Sequence, residues 1–588
     1  MLRSLPVPFQ AILWPLFGAV LILATGRLLP AWVRRLLAGA AAAASLAAIW
    51  SLRSGGAERV QLDWSPLNLF RAGPALSAGD IALPAALALA SVAVALALGI
   101  GGRQPRSPWH GLLLILLAGA LTTTLAANLL TLAIGSALMD LALMGLALWC
   151  GQRSEDAGDS ERRPLLALTA ALPGLAATLI LVLCALRLDA EVGHTSFPAR
   201  QIPPSVLVLL GVAAILRTQI FPLHPRRVRG AAGAAALLLP AGAGLYLLAR
   251  VQAVAPVIPA EALPALLGSL ALLAGGLLAW SGSAAARRQS GGGPGALWRG
   301  LLIHQVGAGL LFALVLPGTS PWPLLSLMLA LALLAVWWDA DTVVAPFTLP
   351  ARLQSARQWV GQRVGPRLEP WWQHRQQQLA ERFGFLARWR ESWIARRGAV
   401  LLPALAVASL AGLPLTAGAR ARWPLYAALL QDGNPHLWSL LVADTFLAAG
   451  LWLGLSDLFT PARRLRPLAL VGMLFLAAVL LLSGMGAGQG LGWQPVHIRG
   501  VSAWGMGLLY IVPWLVGIWL ASLGLRWRQI APLVQSIVGL DWLYRALGRI
   551  GSILEGAGYW LGQVGEGEGW WGWALIILAL AAIFLTGS

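Results

Sequence analysis

Apolar runs about twenty residues long recur along this chain, and each is the length an α-helix needs to cross the hydrocarbon of a bilayer. Ile81–Ile100, Leu165–Leu186 and Pro467–Gly484 are examples. About sixteen such runs can be placed, the first over 9–29 and the last over 570–586. Hydrophobic residues make up 58% of the 588 and charged residues only 11%, against about 25% charged in an ordinary soluble domain. Water could not hide that much apolar surface in one core. In lipid every backbone polar group must be satisfied internally, which a helix does within itself. The sequence therefore predicts an all-α, polytopic transmembrane protein with about 14–16 spans.

The net charge of +19 does not point to nucleic acid. The arginines punctuate the apolar runs as membrane topology signals do. Arg34 and Arg35, Arg103 and Arg106, Arg226, Arg227 and Arg229, and Arg463, Arg464 and Arg466 all follow odd-numbered spans. Loops after even-numbered spans carry fewer. Cytoplasmic loops hold the Lys/Arg excess, so both termini are expected outside, in a multi-pass protein of the cytoplasmic (inner) membrane. Met1–Gln10 lacks a signal-peptide layout, and the first run reads as a retained helix.

Two segments are neither spans nor short loops. Residues 351–397 mix Arg, Gln and Glu with Trp359, Trp371, Trp372, Trp389 and Trp393. That composition fits an amphipathic segment on the membrane surface, with a solvated charged loop as the alternative. Residues 541–568 are a shorter version. Cys150 and Cys184 both sit in apolar runs and offer no metal set. No cofactor is expected: the chain has no GxSxG, Walker-type, HExxH or CxxC motif, and no quinone, flavin or iron–sulfur signature. It has no catalytic site of its own that the sequence reveals.

Four stretches carry more than hydrophobicity: NLLTLAIGSALMDLALM over Asn128–Met144, LRTQIFPLH over Leu216–His224, GAGLYLLAR over Gly242–Arg250, and LAGLPLTAGARARW over Leu410–Trp423. In this order and spacing they resemble the proton-conducting, antiporter-like membrane subunits of respiratory complex I, multisubunit cation/proton antiporters and membrane-bound hydrogenases. The resemblance implies two inverted five-helix repeats, over 110–250 and 264–456, each with a broken helix. The second repeat is interrupted by the surface segment 351–397. Transmembrane helices over 1–101 precede the repeats, and more follow over 467–588. Pro222 and Pro414 would interrupt the broken helices, since proline removes a backbone donor and clashes with the preceding turn. His224 follows Pro222 as in the family's pattern.

The family's chemistry, as the resemblance implies it, runs through glutamate and lysine side chains that exchange protons. Here the fifth-helix glutamate position reads Ala137, the seventh-helix lysine Arg217, the eighth-helix position Gly242 and the twelfth-helix lysine Arg422. Leu324–Trp338 lacks the tenth-helix polar residues. The chain contains no lysine at all. Arginine keeps charge and pairing but does not deprotonate in proteins, so the resemblance predicts a degenerate member with its relay lost or altered.

Ionisable residues inside membrane spans are costly and are candidates for function. Here they are Asp140, Arg217, His304, Arg422 and Asp444. Asp140 lies about one helical turn beyond Ala137, and is expected either to pair with Arg217 or to bond locally. Asp444 is the candidate partner of Arg422. His304 is either functional or a satisfied core residue. The partners expected are other membrane subunits of a complex I-like or hydrogenase-like assembly and the lipid bilayer, with no nucleic acid. The alternative is a self-contained or two-component ion or inorganic-carbon transporter, with these residues lining the path.

Overall fold

The computed structural model describes residues 6–25, 28–55, 59–62, 73–100, 108–151, 163–197, 202–219, 235–254, 262–286, 295–316, 322–339, 393–413, 416–456, 467–485, 503–522, 529–540, 542 and 546. Within them the chain is almost wholly helical. The helices are α1 (Val7–Thr25), α2 (Ala31–Gly55), α3 (Ala82–Gly99), α4 (Trp109–Leu125), α5 (Leu129–Gly151), α6 (Arg163–Val192), α7 (Pro204–Thr218), α8 (Leu238–Val254) and α9 (Ala262–Ala286). They continue with α10 (Gly295–Val315), α11 (Trp322–Asp339), α12 (Trp393–Ala411), α13 (Ala417–Gln431), α14 (His436–Ser456), α15 (Pro467–Gly484), α16 (Ala503–Ser522) and α17 (Ala531–Val538). Eight helices are long and apolar enough to cross a membrane, and seven more are shorter apolar helices. The fold is that of an all-α, polytopic membrane protein. The span expected over 570–586 and both amphipathic segments, apart from the start of α12 and isolated residues, lie outside the described residues.

The apolar faces point two ways. Some face outward: Leu141, Leu179, Leu183, Leu401, Leu482 and Leu515 are exposed. Others build the interior. The Ala- and Leu-rich α3 is buried along almost its whole length and packs against α2, α4, α11 and α15. Small side chains let its neighbours approach from every side, the packing device of membrane bundles. Exposed Trp32 and Trp50 stand near the two ends of α2. At 1.5 Å rise per residue they are about 27 Å apart, close to the thickness of the hydrocarbon, as interfacial anchors should be.

One end of the bundle carries a small polar lid. Strands β1 (Val60–Gln61) and β2 (Ala75–Leu76) pair antiparallel. The α4–α5 corner joins them, with Ala127 N–H donating to Ala75 O at 2.8 Å and Phe197 N–H donating to Ala127 O at 3.0 Å. The Asn128 amide donates to Gly73 O at 2.8 Å while its oxygen accepts from Thr131. Arg250, buried on α8, donates to Ala126 O at 2.6 Å and to Phe197 O, and its guanidinium lies over the Phe197 ring. One turn earlier, Tyr246 donates to Thr124 O at 2.7 Å. The buried cation thus sits at the carbonyl end of α4, the negative pole of that helix.

One segment differs from the sequence expectation. The run over 399–418, where the resemblance implies a broken helix, is two helices, α12 and α13, separated at Gly412, which takes a positive φ of 69°. Residues 419–431, expected as loop, belong to α13. Arg420, Arg422 and Pro424 lower the segment's hydropathy, so the apolar signal fades although the helix continues. Pro414, between the two halves, lies outside the described residues, as do Pro222 and His224. Helix α7 stops at Thr218, and the following Gln219 takes the left-handed conformation at φ 50° and ψ 40°.

Candidate functional site

The five ionisable candidates gather into two buried clusters. In the first, Asp140 of α5 meets Arg217, the penultimate residue of α7. Arg217 Nη1 is 2.5 Å from Asp140 Oδ1 and Nη2 is 3.2 Å from Oδ2, a two-pronged contact. Both side chains are shut off from the surface, at 0% and 1% exposure. Helix α6 completes the cluster. The Thr178 hydroxyl donates to Asp140 Oδ2 at 2.6 Å and accepts from Arg217 Nη2 at 2.7 Å. The Gly174 carbonyl accepts from the same nitrogen at 3.2 Å. Gly174 is also a steric requirement, because a Cβ there would run into Asp140 Oδ1. Its neighbour Pro173 removes one ladder hydrogen bond from α6 at this level.

In the second cluster three helices converge on Asp444 of α14. Arg422 Nη1, from α13, lies 2.6 Å from both carboxylate oxygens. Tyr426, one turn further along α13, donates its hydroxyl to Asp444 Oδ2. His304 of α10 places Nε2 3.1 Å from Asp444 Oδ1. The Gln305 amide lies 3.4 Å from His304 Nδ1. Helix α9 wedges in behind: a Cβ on Gly275 would strike the His304 backbone, and one on Gly276 would strike the Ala443 carbonyl. These glycines bring α10 and α14 close enough for His304 and Asp444 to touch.

The arrangement has a defined chemistry. Each carboxylate faces a guanidinium that cannot release a proton. Each is also fixed by a hydroxyl, Thr178 or Tyr426. In a dry interior such a pair holds its charges in place, since removing one partner strands the other. Sequence reasoning identified all five charged residues and missed Thr178, Gly174 and Tyr426. The spacing of Tyr426 after Arg422, one turn on the same face, is a signal that could have found it. Nothing in the sequence marks Thr178 among the other threonines. Among the described residues no group of three or more His, Cys, Asp or Glu side chains could hold a metal.

By fold, the chain is an all-α, polytopic membrane protein, a fold also seen in chains of large membrane complexes. Solved structures of three such complexes contain chains of this fold. One is the Mrp complex from Dietzia sp. DQ12-45-1b, with a TM-score of 0.65 at 16% identity, covering 98% of this chain and 63% of that one. Another is the membrane-bound sulfane sulfur reductase, an archaeal respiratory membrane complex, with a TM-score of 0.67 at 16% identity, covering 98% and 99%. The third is respiratory complex I from Thermus thermophilus, with a TM-score of 0.55 at 19% identity, covering 82% and 98%. The chain thus spans under two thirds of the Mrp chain and nearly all of the other two. At these identities the likeness is one of fold. No protein-family model and no curated protein matches the sequence.

Proposed function

We propose that this chain is an antiporter-like membrane subunit of a multisubunit, ion-translocating assembly, in which it holds partners and does not itself pump. The fold shared with subunits of the Mrp, sulfane sulfur reductase and complex I assemblies supports the first part. One observation carries the second: both buried carboxylates are closed by arginine, Asp140 by Arg217 and Asp444 by Arg422. A relay needs groups that gain and lose protons, and arginine does not. On this reading the two inverted repeats cover 110–250 and 264–456, with one cluster in each. The Arg-rich loops after odd-numbered spans face the cytoplasm, and both termini lie outside the cytoplasmic membrane.

The test is proton uptake by the purified chain in liposomes under an imposed potential, wild type beside Asp140→Asn. The proposal expects neither to conduct above protein-free liposomes. Conduction by wild type that disappears in Asp140→Asn would show a working path through the first cluster and overturn the non-pumping reading. Co-purification from its native membrane is the second arm, with other polytopic subunits as the expected companions.

A further inference from the structure

Two short chains of contacts run from α8 toward the ion-pair clusters. On the first, a Cβ added to Gly244 would lie 2.7 Å from Thr218 N, immediately beside Arg217. The next residue, Leu245, fills the space over Gly309 of α10, where an added Cβ would meet Leu245 Cδ1 at 2.9 Å. Gly309 lies about a turn and a half beyond His304. On the second, an added Cβ on Gly242 would lie 2.7 Å from Leu89 Cδ2 of α3 and 3.4 Å from Leu325 Cδ2 of α11. Ser326, next to Leu325, donates to Ala417 O at 3.3 Å, on the helix that carries Arg422.

Among the described residues, buried polar side chains approach this zone from each side. From the second cluster the last is Gln305, one turn from Gly309 on the same helix face. Its Oε1 is buried and has no partner. On the side of the first cluster, Thr218 turns its hydroxyl back onto Ile215 O at 2.6 Å, and the side-chain amide of the next residue, Gln219, is buried without a partner. Leu89 and Leu325 beside Gly242, and Leu245 beside Gly309, are each 0% exposed. A methyl group on Gly242 would have to displace Leu89. Leucine side chains offer water no hydrogen-bond partner.

We infer that Leu89, Leu245 and Leu325 form a dry seal across α8 that isolates the two buried ion-pair sites from each other. The subunit then acts as an electrical insulator between its halves: a hydrophobic constriction closes a path by excluding water. The inference deepens the proposed function, and its test is independent of proton flux. Leu245 is replaced by cysteine in a full-length Cys150→Ala/Cys184→Ala background and reconstituted. It is then exposed to a small, membrane-permeant methanethiosulfonate reagent. Thiolate is the reactive form, and a charged sulfur forms only where water reaches it.

Leu245→Cys should stay unlabelled on a timescale on which Leu62→Cys, in the exposed lid beside β1, reacts fully. Adding Leu325→Ser and Leu89→Ala should raise its labelling rate at least about tenfold, because the thiolate fraction sets the rate. Leu325→Val with Leu89→Val, which keeps the zone apolar, should leave it unlabelled. Thermal melting identifies any background that fails to fold, and Leu325→Ser alone then replaces the double opening. Labelling of Leu245→Cys with the leucines intact overturns the seal. So does a folded, opened variant that remains inert. Proton conduction by wild type with Leu245→Cys still inert would refute the non-pumping reading and leave the seal standing.

Discussion

Arg422 and Tyr426 stand one helical turn apart on the same face of α13, and both bind the carboxylate of Asp444. The guanidinium supplies the opposite charge and the phenol supplies the second donor. Together they make a short helix with two arginines compatible with a buried position. Replacing Tyr426 by Phe removes only the neutral donor. A hydrogen bond to a charged group contributes about 1.5–3 kcal/mol, and the thermal stability of the purified protein should fall by that amount. Replacing Asp444 by Asn should cost more, about 3–5 kcal/mol, because it strands a buried guanidinium.

The Asp140–Arg217 pair should behave as a unit. Each single change, Asp140→Leu or Arg217→Leu, should lower stability by about 3–5 kcal/mol, since it leaves an uncompensated buried charge. The double replacement should recover most of that loss. A double-mutant cycle read by denaturation in mild detergent measures the coupling. Additive losses would show that the two charges do not depend on each other.

Gly174→Ala tests the close approach of α6 to the pair. The added methyl has no room beside Asp140 Oδ1, and overpacking of this kind costs about 1–3 kcal/mol. Asp140→Ala removes the obstructing oxygen, so Gly174→Ala should be nearly silent in that background. A full penalty in both backgrounds would place its cause elsewhere on α6.

Arg250 ties the lid to α8 through Ala126 O and Phe197 O. Arg250→Leu should leave those carbonyls short of a donor, at about 1–3 kcal/mol each. The loss should appear first as faster amide hydrogen exchange at Ala127 and Phe197, whose N–H groups close the lid. The two ion-pair clusters should be unaffected. Exchange that rises equally throughout the bundle would mean that Arg250 supports the whole fold rather than its lid.

Much of this protein was legible in its sequence because hydrocarbon thickness is a local rule. A run either is or is not long enough to cross, so the all-α fold and most helices follow from the positions of apolar residues alone. The rule failed at α13, where Arg420, Arg422 and Pro424 dilute the apolar signal and a buried carboxylate makes the helix possible. The charged candidates stood out for the same reason, since a charge inside an apolar run is conspicuous. Which charges meet is not local. Asp140 and Arg217 are 77 residues apart and Arg422 and Asp444 are 22 apart. Helical periodicity gives the face of each residue but not which face of another helix it will meet. Only the packing of α5, α6 and α7, and of α10, α13 and α14, decided those pairings. Packing also brought in Thr178, Gly174 and Tyr426, and placed Leu89 of α3 in the space beside Gly242. Residue type fixed what each group can do, and the interlocking of side chains in a dry interior fixed what each group is allowed to touch.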